Sequence, residues 1–306
     1  MAPLSTEDLQ RRFGTSDTIR FEDGPGGLTR IRVTAPAAEA EVYLHGAHVT
    51  RYQPRGGRPV LFVSARSRYD AKSAIRGGVP VIFPWFGAKA DDPAAPQHGL
   101  VRAAAWDVEA VERAGEAVVV ILRLDASEAT RAVWPHRFTI RHRIGVGPAL
   151  DMALEVDNAG AEPFTFEEAL HTYLAVGDVR QVSVTGLAGS TYIDKTAGMA
   201  RKLQGPEPLH LTGETDSVYL SSPAACVVHD PAGGRRLVVE KEGSGSTVVW
   251  NPWVAKAQAL SDLGDDEWPS MLCIETANAA DNRVTLAPGA RHRMRAVIRT
   301  EPATAP

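Results

Sequence analysis

Cysteine is scarce: Cys226 and Cys273 are the only two in 306 residues, too few for a framework of several disulfides. Long apolar runs are missing as well. No window approaches the roughly 18 uninterrupted apolar residues that a membrane-crossing helix needs, and the N-terminal MAPLSTEDLQRRF offers no apolar stretch for a signal peptide. A soluble protein of the reducing cytoplasm is expected. Charge of one sign is not in excess either, since 33 Lys and Arg against 37 Asp and Glu leave a formal net charge of -4. Nothing therefore draws the whole molecule to nucleic acid or to an anionic membrane, and any anion must be held by a local site. The phosphate-loop pattern, the dinucleotide fingerprint after a strand, paired CxxC and HExxH are all absent, which withdraws support from nucleotide and zinc chemistry. His45 and His48 in LHGAH could serve a metal, but three positions along a strand put them on opposite faces. No metal and no cofactor are expected.

What is present is ordinary globular material, 44% hydrophobic and 23% charged, enough for a large core. STEDLQRRFG reads as one short helix, with Ser5 as N-cap and a stop at Gly14. Period-two alternation dominates thereafter. Leu150, Met152, Leu154 and Val156 alternate with Asp151, Ala153, Glu155 and Asp157, and the same holds from Phe138 to Val146 and again toward Ile298. DPAGGRR between CVVH and LVVE reads as a hairpin. Helical candidates are few, Ser127–Trp134 and Trp253–Leu263, and they do not alternate with the strands, so a parallel α/β sheet is not expected. With no linker or repeat to mark a boundary, the expectation is an all-β antiparallel sandwich forming one domain over 1–306, with loose tails at 1–4 and 301–306.

Three places concentrate chemistry. From Ala74 to Arg102 the segment AIRGGVPVIFPWFGAKADDPAAPQHGLVR is punctuated by Gly77, Gly78, Pro80 and Pro84, which limit regular pairing and suit a pocket wall. Arg76 beside its glycine pair, and Arg102, could present guanidinium forks to a phosphate or carboxylate; equally, they could form structural salt bridges. Phe83, Trp85 and Phe86 could be core or a platform for a sugar face. The second place is EEALHTYL, where His171 follows Glu167 and Glu168 at the end of a strand. The third is MLCIETAN, where Glu275 interrupts an apolar strand and must be paired, protonated or functional.

Seven blocks in order, AIRGGVPVIFPWFG, QHGLVR followed by Trp106, EALHTYLAVGD, VTGLAGSTYIDK, ETDSVY, WNPWVAKA and MLCIETAN, make the chain resemble the hexose-6-phosphate mutarotases, or glucose-6-phosphate 1-epimerases, of the aldose 1-epimerase superfamily. The resemblance spans nearly the whole length. It implies a large antiparallel β-supersandwich of the galactose mutarotase-like kind, with a few short helices and an open sugar cleft. His171 and Glu275 map to the catalytic positions. Arg76, Gln97, Arg102 and Asp194 map to substrate contacts, and His98 lies beside the cleft as a further sugar contact. Asn251 and Trp253, in the WNPW block, are left open between touching sugar and shaping the wall. The implied chemistry is ring opening and closure without cofactor: Glu275 takes the C1 hydroxyl proton, and His171, starting protonated, gives one to the ring oxygen. Arg76 and Arg102 would hold the 6-phosphate, and Gln97 and Asp194 the ring hydroxyls. The expected partner is a small sugar phosphate, with oligomeric state open and a monomer slightly favoured. Two alternatives stand beside this, an aldose 1-epimerase acting on free hexoses and a non-catalytic carbohydrate-binding module.

Overall fold

Period-two patterning sends one row of side chains inward along a whole strand. Leu150, Met152, Leu154 and Val156 are buried, as are Phe138, Ile140, Ile144 and Val146, and the two strands pair antiparallel from Phe138 opposite Asn158 to Val146 opposite Leu150. The computed structural model describes residues 4–15 and 17–303. Among these, every pairing between strands is antiparallel.

A nine-stranded sheet runs in the order Leu209–His210, Ser183–Thr185, Cys226–Asp230, Arg235–Glu242, Arg291–Pro302, Leu150–Asn158, Phe138–Val146, Ala117–Asp125, Asp107–Ala114. An eight-stranded sheet, called the cleft sheet below, has the order Ala200–Leu203, Thr191–Asp194, Thr215–Leu220, Ser246–Asn251, Met271–Asn278, Glu168–Leu170, Val81–Ile82, with Tyr173–Ala175 also paired to Met271–Asn278. A four-stranded meander from Ile19 to Pro54 and the pair Phe164–Phe166 with Val284–Leu286 complete the β structure. One buried apolar cluster draws on residues from Leu9 to Ile298. A smaller one, including Ile82, Ala169, Val218, Val248 and Ala277, belongs to the cleft sheet.

The short helices lie close to where their capping residues predict. Thr6–Phe13 starts at Ser5, whose Oγ accepts from the Asp8 N–H at 3.1 Å, and stops at Gly14. Glu128–Val133 begins with a capping box between Ser127 and Thr130. Trp253–Ala259 is shorter than expected: the helix ends at Leu260, and the chain turns so that Leu263 is fully buried. The DPAGGRR hairpin joins Cys226–Asp230 to Arg235–Glu242 as read.

The C-terminal tail needs correction. Glu301 and Pro302 are paired within Arg291–Pro302, opposite Arg236 and Arg235, and Glu301 also bridges Arg236 and Arg299. At the other end Leu4 is exposed, while 1–3 and 304–306, the rest of the expected tails, lie outside the described residues.

The Ala74–Arg102 segment contributes only the two-residue strand Val81–Ile82 and single bridges such as Val63 to Gly77. Gly77 and Gly78 are forced. Both have positive φ, +113° and +60°, and a Cβ on them would sit 2.4 Å from the Phe62 carbonyl oxygen and 2.3 Å from that of Val49. This close approach pins the backbone beside Arg76. Of the aromatics, Phe83 is core, its ring centroid 5.0 to 5.5 Å from those of Phe138, Phe166 and Trp134. Trp85 is buried with its indole N–H on the Pro96 carbonyl.

Candidate active site

Strand register builds the site. Ile193 stands opposite Val218, Val218 opposite Val248, and Val248 opposite Glu275, so all four side chains leave the cleft sheet on one face. Ala169 opposes Ala277 on that same face, which directs His171, two residues on, toward Glu275. The strand breaks after Leu170: the His171 N–H donates to Pro80 O at 3.0 Å, and pairing resumes with Tyr173 opposite Cys273. His171 Nε2 ends 3.4 Å from Glu275 Oε1. The imidazole stacks on the Tyr173 ring at 4.7 Å and 11°, and meets Trp250 and His98 edge-on at 6.0 and 5.8 Å.

Both members of the pair are almost fully enclosed, at 8% and 1% exposure, and His171 Nδ1 and Glu275 Oε2 have no hydrogen-bond partner among the described residues. Burial holds each group uncharged. It pushes His171 well below the ordinary imidazole range, helped by its neighbour His98 and by the positive charges of Arg76 and Arg102. It pushes Glu275 well above the carboxylate range, reinforced by Asp216 and opposed by Lys195. Both shifts favour the uncharged pair, with a proton on Glu275 and a neutral imidazole at His171, over the protonated His171 expected from sequence.

A cleft of about 380 Å³ opens over this pair. Arg76, Gln97, His98, Arg102, His171 and Glu275 all line it, which brings together six of the seven site residues expected from sequence. Phe86 supplies the aromatic wall. Arg76 donates through Nη1 to the Tyr173 hydroxyl and through Nη2 to Asp262 Oδ2, each at 3.0 Å. Arg102 has no carboxylate partner among the described residues; burial, then the neighbouring Arg76, lowers its proton affinity. His98, at positive φ, accepts the Gly87 N–H on Nδ1 at 3.2 Å, so its neutral ring carries the proton on Nε2. Burial and then Arg102 depress it to about 3.

Asp194 is the residue the structure does not bring to the cleft. It follows Ile193 in Thr191–Asp194, and alternation turns it to the opposite face, in register with Ser217. Its carboxylate accepts from Lys202 Nζ at 2.6 Å and from the Thr196 N–H and hydroxyl. The next residue, Lys195, returns to the cleft and pairs with Asp216 at 3.1 Å. Asp216 shares a transverse row with Trp250, Cys273 and Tyr173, and this row is what the sequence reading missed. Its signal was the period of two counted from His171 and Glu275: Tyr173 is two residues beyond His171, and Cys273 two before Glu275.

Asn251 and Trp253 do not line the cleft. Asn251 is fully buried, donating to Trp268 O and Met271 O and accepting from the Trp253 N–H, while Trp253 packs on Trp268 at 4.4 Å. His45 and His48 each place Nε2 at 2.7 Å from a carbonyl oxygen, of Ser73 and Gly77 respectively. No group of three or more candidate ligands for a metal occurs among the described residues.

An antiparallel sheet with a cleft opening over a buried imidazole–carboxyl pair is suited to acid–base chemistry. The chain belongs to the aldose 1-epimerase family, whose sequence model matches residues 29–299. A Cenchrus ciliaris protein named "putative glucose-6-phosphate 1-epimerase" is 34% identical over 291 residues, 92% of this chain and 87% of that one. A Salmonella typhimurium protein of the same name is 34% identical over 252 residues, 82% and 84% of the two chains. Among solved structures, a "putative mutarotase" from Salmonella typhimurium superposes with a TM-score of 0.87 at 31% identity, covering 93% of this chain and 94% of its own. Galactose 1-epimerase from Lactobacillus acidophilus shares the fold, with a TM-score of 0.71 at 14% identity over 94% of this chain and 100% of its own.

Proposed function

We propose that the protein is a hexose-6-phosphate mutarotase that interconverts the α and β anomers of glucose 6-phosphate and related sugar phosphates. The observation that carries this is the 3.4 Å His171–Glu275 pair in one cleft with Arg76 and Arg102. The relatives named for glucose 6-phosphate, at 34% identity, support the same substrate.

Ring opening needs one proton between two groups. One group removes the C1 hydroxyl proton as the C1–ring-oxygen bond breaks and the C1 carbonyl forms; the other protonates the departing ring oxygen. After rotation about C1–C2 the same transfers run backward. Before a sugar binds, burial favours the proton on Glu275. A phosphate dianion on Arg76 and Arg102 offsets two of the charges that oppose an imidazolium at His171. The proton then crosses to His171, leaving Glu275 as the base for the C1 hydroxyl and His171 as the acid for the ring oxygen. Gln97 and Asp216, rather than Asp194, are positioned to take ring hydroxyls.

The free-hexose reading has one observation in its favour, because Arg76 does hold a carboxylate, Asp262. Arg102, half-buried and without such a partner among the described residues, favours the phosphate. The proposal includes one catalytic domain, supported by the cluster from Leu9 to Ile298, and a cytoplasmic setting, supported by two buried free thiols.

Exchange NMR on equilibrated glucose 6-phosphate, glucose and galactose tests the reading. Catalytic protein should speed anomer exchange of the phosphorylated sugar selectively. Acceleration of the free sugars alone would make this a free-hexose epimerase, and no acceleration of any would leave a binding module.

A further inference from the structure

The two arginines stand between two cavities. Arg76, Arg102, Tyr173 and Leu260 line the cleft and also a second cavity of about 320 Å³, which Arg68, Ser261 and Asp262 help to enclose. Leu260, just past the Trp253–Ala259 helix, lines both cavities, whereas Asp262 lines the second alone and reaches Arg76 there. Arg76 gives one N–H of Nη1 to Tyr173 and one of Nη2 to Asp262, while its buried Nε has no acceptor among the described residues. Asp262 offsets the charge of Arg76, one of three guanidinium groups, with Arg68 and Arg102, that line the second cavity. The side chain of Asp262 is 22% exposed, so the carboxylate can hydrate if it lets go. Leu263 next to it is fully buried, which tethers the carboxylate within reach of Arg76.

Resting on the reading of Arg76 and Arg102 as the phosphate site, we propose that Asp262 is an internal anion that holds Arg76 until the sugar phosphate displaces it, and that its return speeds release of the product anomer. A tethered carboxylate competes at a high effective concentration without being consumed. It also spares Arg76 from standing as an uncompensated, largely buried charge whenever the phosphate leaves. Asp262 thus sets how tightly the 6-phosphate is held, trading affinity for turnover.

The test is the sign of one change. Inorganic phosphate binding is measured by calorimetry on the wild-type protein, Asp262→Asn and Asp262→Ala, with thermal unfolding of each followed in parallel. Since a hydrogen bond to a charged group is worth about ten- to a hundredfold in an equilibrium constant, Asp262→Asn should bind phosphate about tenfold tighter or more. Asp262→Ala should move the same way, and KM for glucose 6-phosphate should fall while kcat does not rise. If Asp262 instead only orients Arg76, both variants bind phosphate more weakly; that result, or unchanged affinity in folded protein, overturns the proposal. Failure of the underlying reading looks different: the wild-type protein would not accelerate anomer exchange of glucose 6-phosphate, and Arg102→Ala would bind inorganic phosphate as the wild type does.

Discussion

The Met271–Asn278 strand serves two histidine–glutamate pairs on its two faces, and they differ in nearly everything but residue type. On the cleft face His171 and Glu275 stand 3.4 Å apart. On the other face His292 Nε2 lies 2.8 Å from Glu168 Oε1, which also accepts from Asn278 Nδ2 at 2.9 Å. Burial opposes charge at His292 too, but there the hydrogen bond and charge of Glu168 win and its proton affinity rises. At His171 the neighbouring charges are positive and add to burial, so its affinity falls. Glu168 Oε2 and Glu275 Oε2 are both without a partner, so lone unsatisfied atoms do not tell the pairs apart. Separation and the sign of the surrounding charge do: one arrangement fixes an ion pair, the other keeps a proton ready to move.

The largest expected effect breaks the comparison on the chemical side. Glu275→Gln and His171→Asn should each cut turnover by about 10²- to 10⁴-fold with KM little changed, as exchange NMR over a range of glucose 6-phosphate would record. Glu168→Gln should instead cost stability, about 1–3 kcal/mol for the charge lost from the hydrogen bond with His292, read from urea unfolding. Glu275→Gln should stabilise. The folded Glu275 keeps a proton above the ordinary carboxylate range that the unfolded chain releases, so the native acid is a cost at neutral pH, and a higher midpoint in the same urea titration checks it. Arg102→Lys keeps charge but loses the fork, and should raise KM for glucose 6-phosphate about tenfold with little change on free glucose. The finest distinction is in pH slope. Stability from His292, with its raised affinity, is complete below about pH 6.5 and lost as pH rises through its folded value. His171 acts oppositely: as pH falls below about 6.5 the unfolded chain takes up a proton that the folded imidazole refuses. Unfolding of Glu168→Gln and His171→Asn against pH should therefore depart from wild type on the acid side in opposite directions, the first losing stability and the second gaining it, and shifts of the same sign would count against the contrast.

Much of this was legible in the residues. Leu150–Asn158 and Phe138–Val146 announce themselves because only one face of each alternates apolar, and Glu275 stood out as a carboxylate in an apolar run. Asp194 could not be placed without register, because a shift of one residue decides which face a strand side chain takes, and the ordered blocks alone do not say whether Asp194 or Asp216 faces the sugar. The protonation of His171 was hidden for another reason. It depends first on burial and then on His98, Arg76 and Arg102, distant in sequence and close only after folding. Asp262 was invisible for the same cause, sitting in a stretch that sequence assigned to helix.

Because Met271–Asn278 feeds both pairs, a slip of its pairing by one residue would put Ile274 or Thr276 where Glu275 belongs and carry Asn278 away from Glu168 in the same step. Misassembled copies would lose the acid–base pair and an internal anchor together. They would be unstable, and so open to clearance, instead of persisting as folded proteins that bind sugar without turning it over. In this architecture the activity of a molecule certifies that its folding is complete.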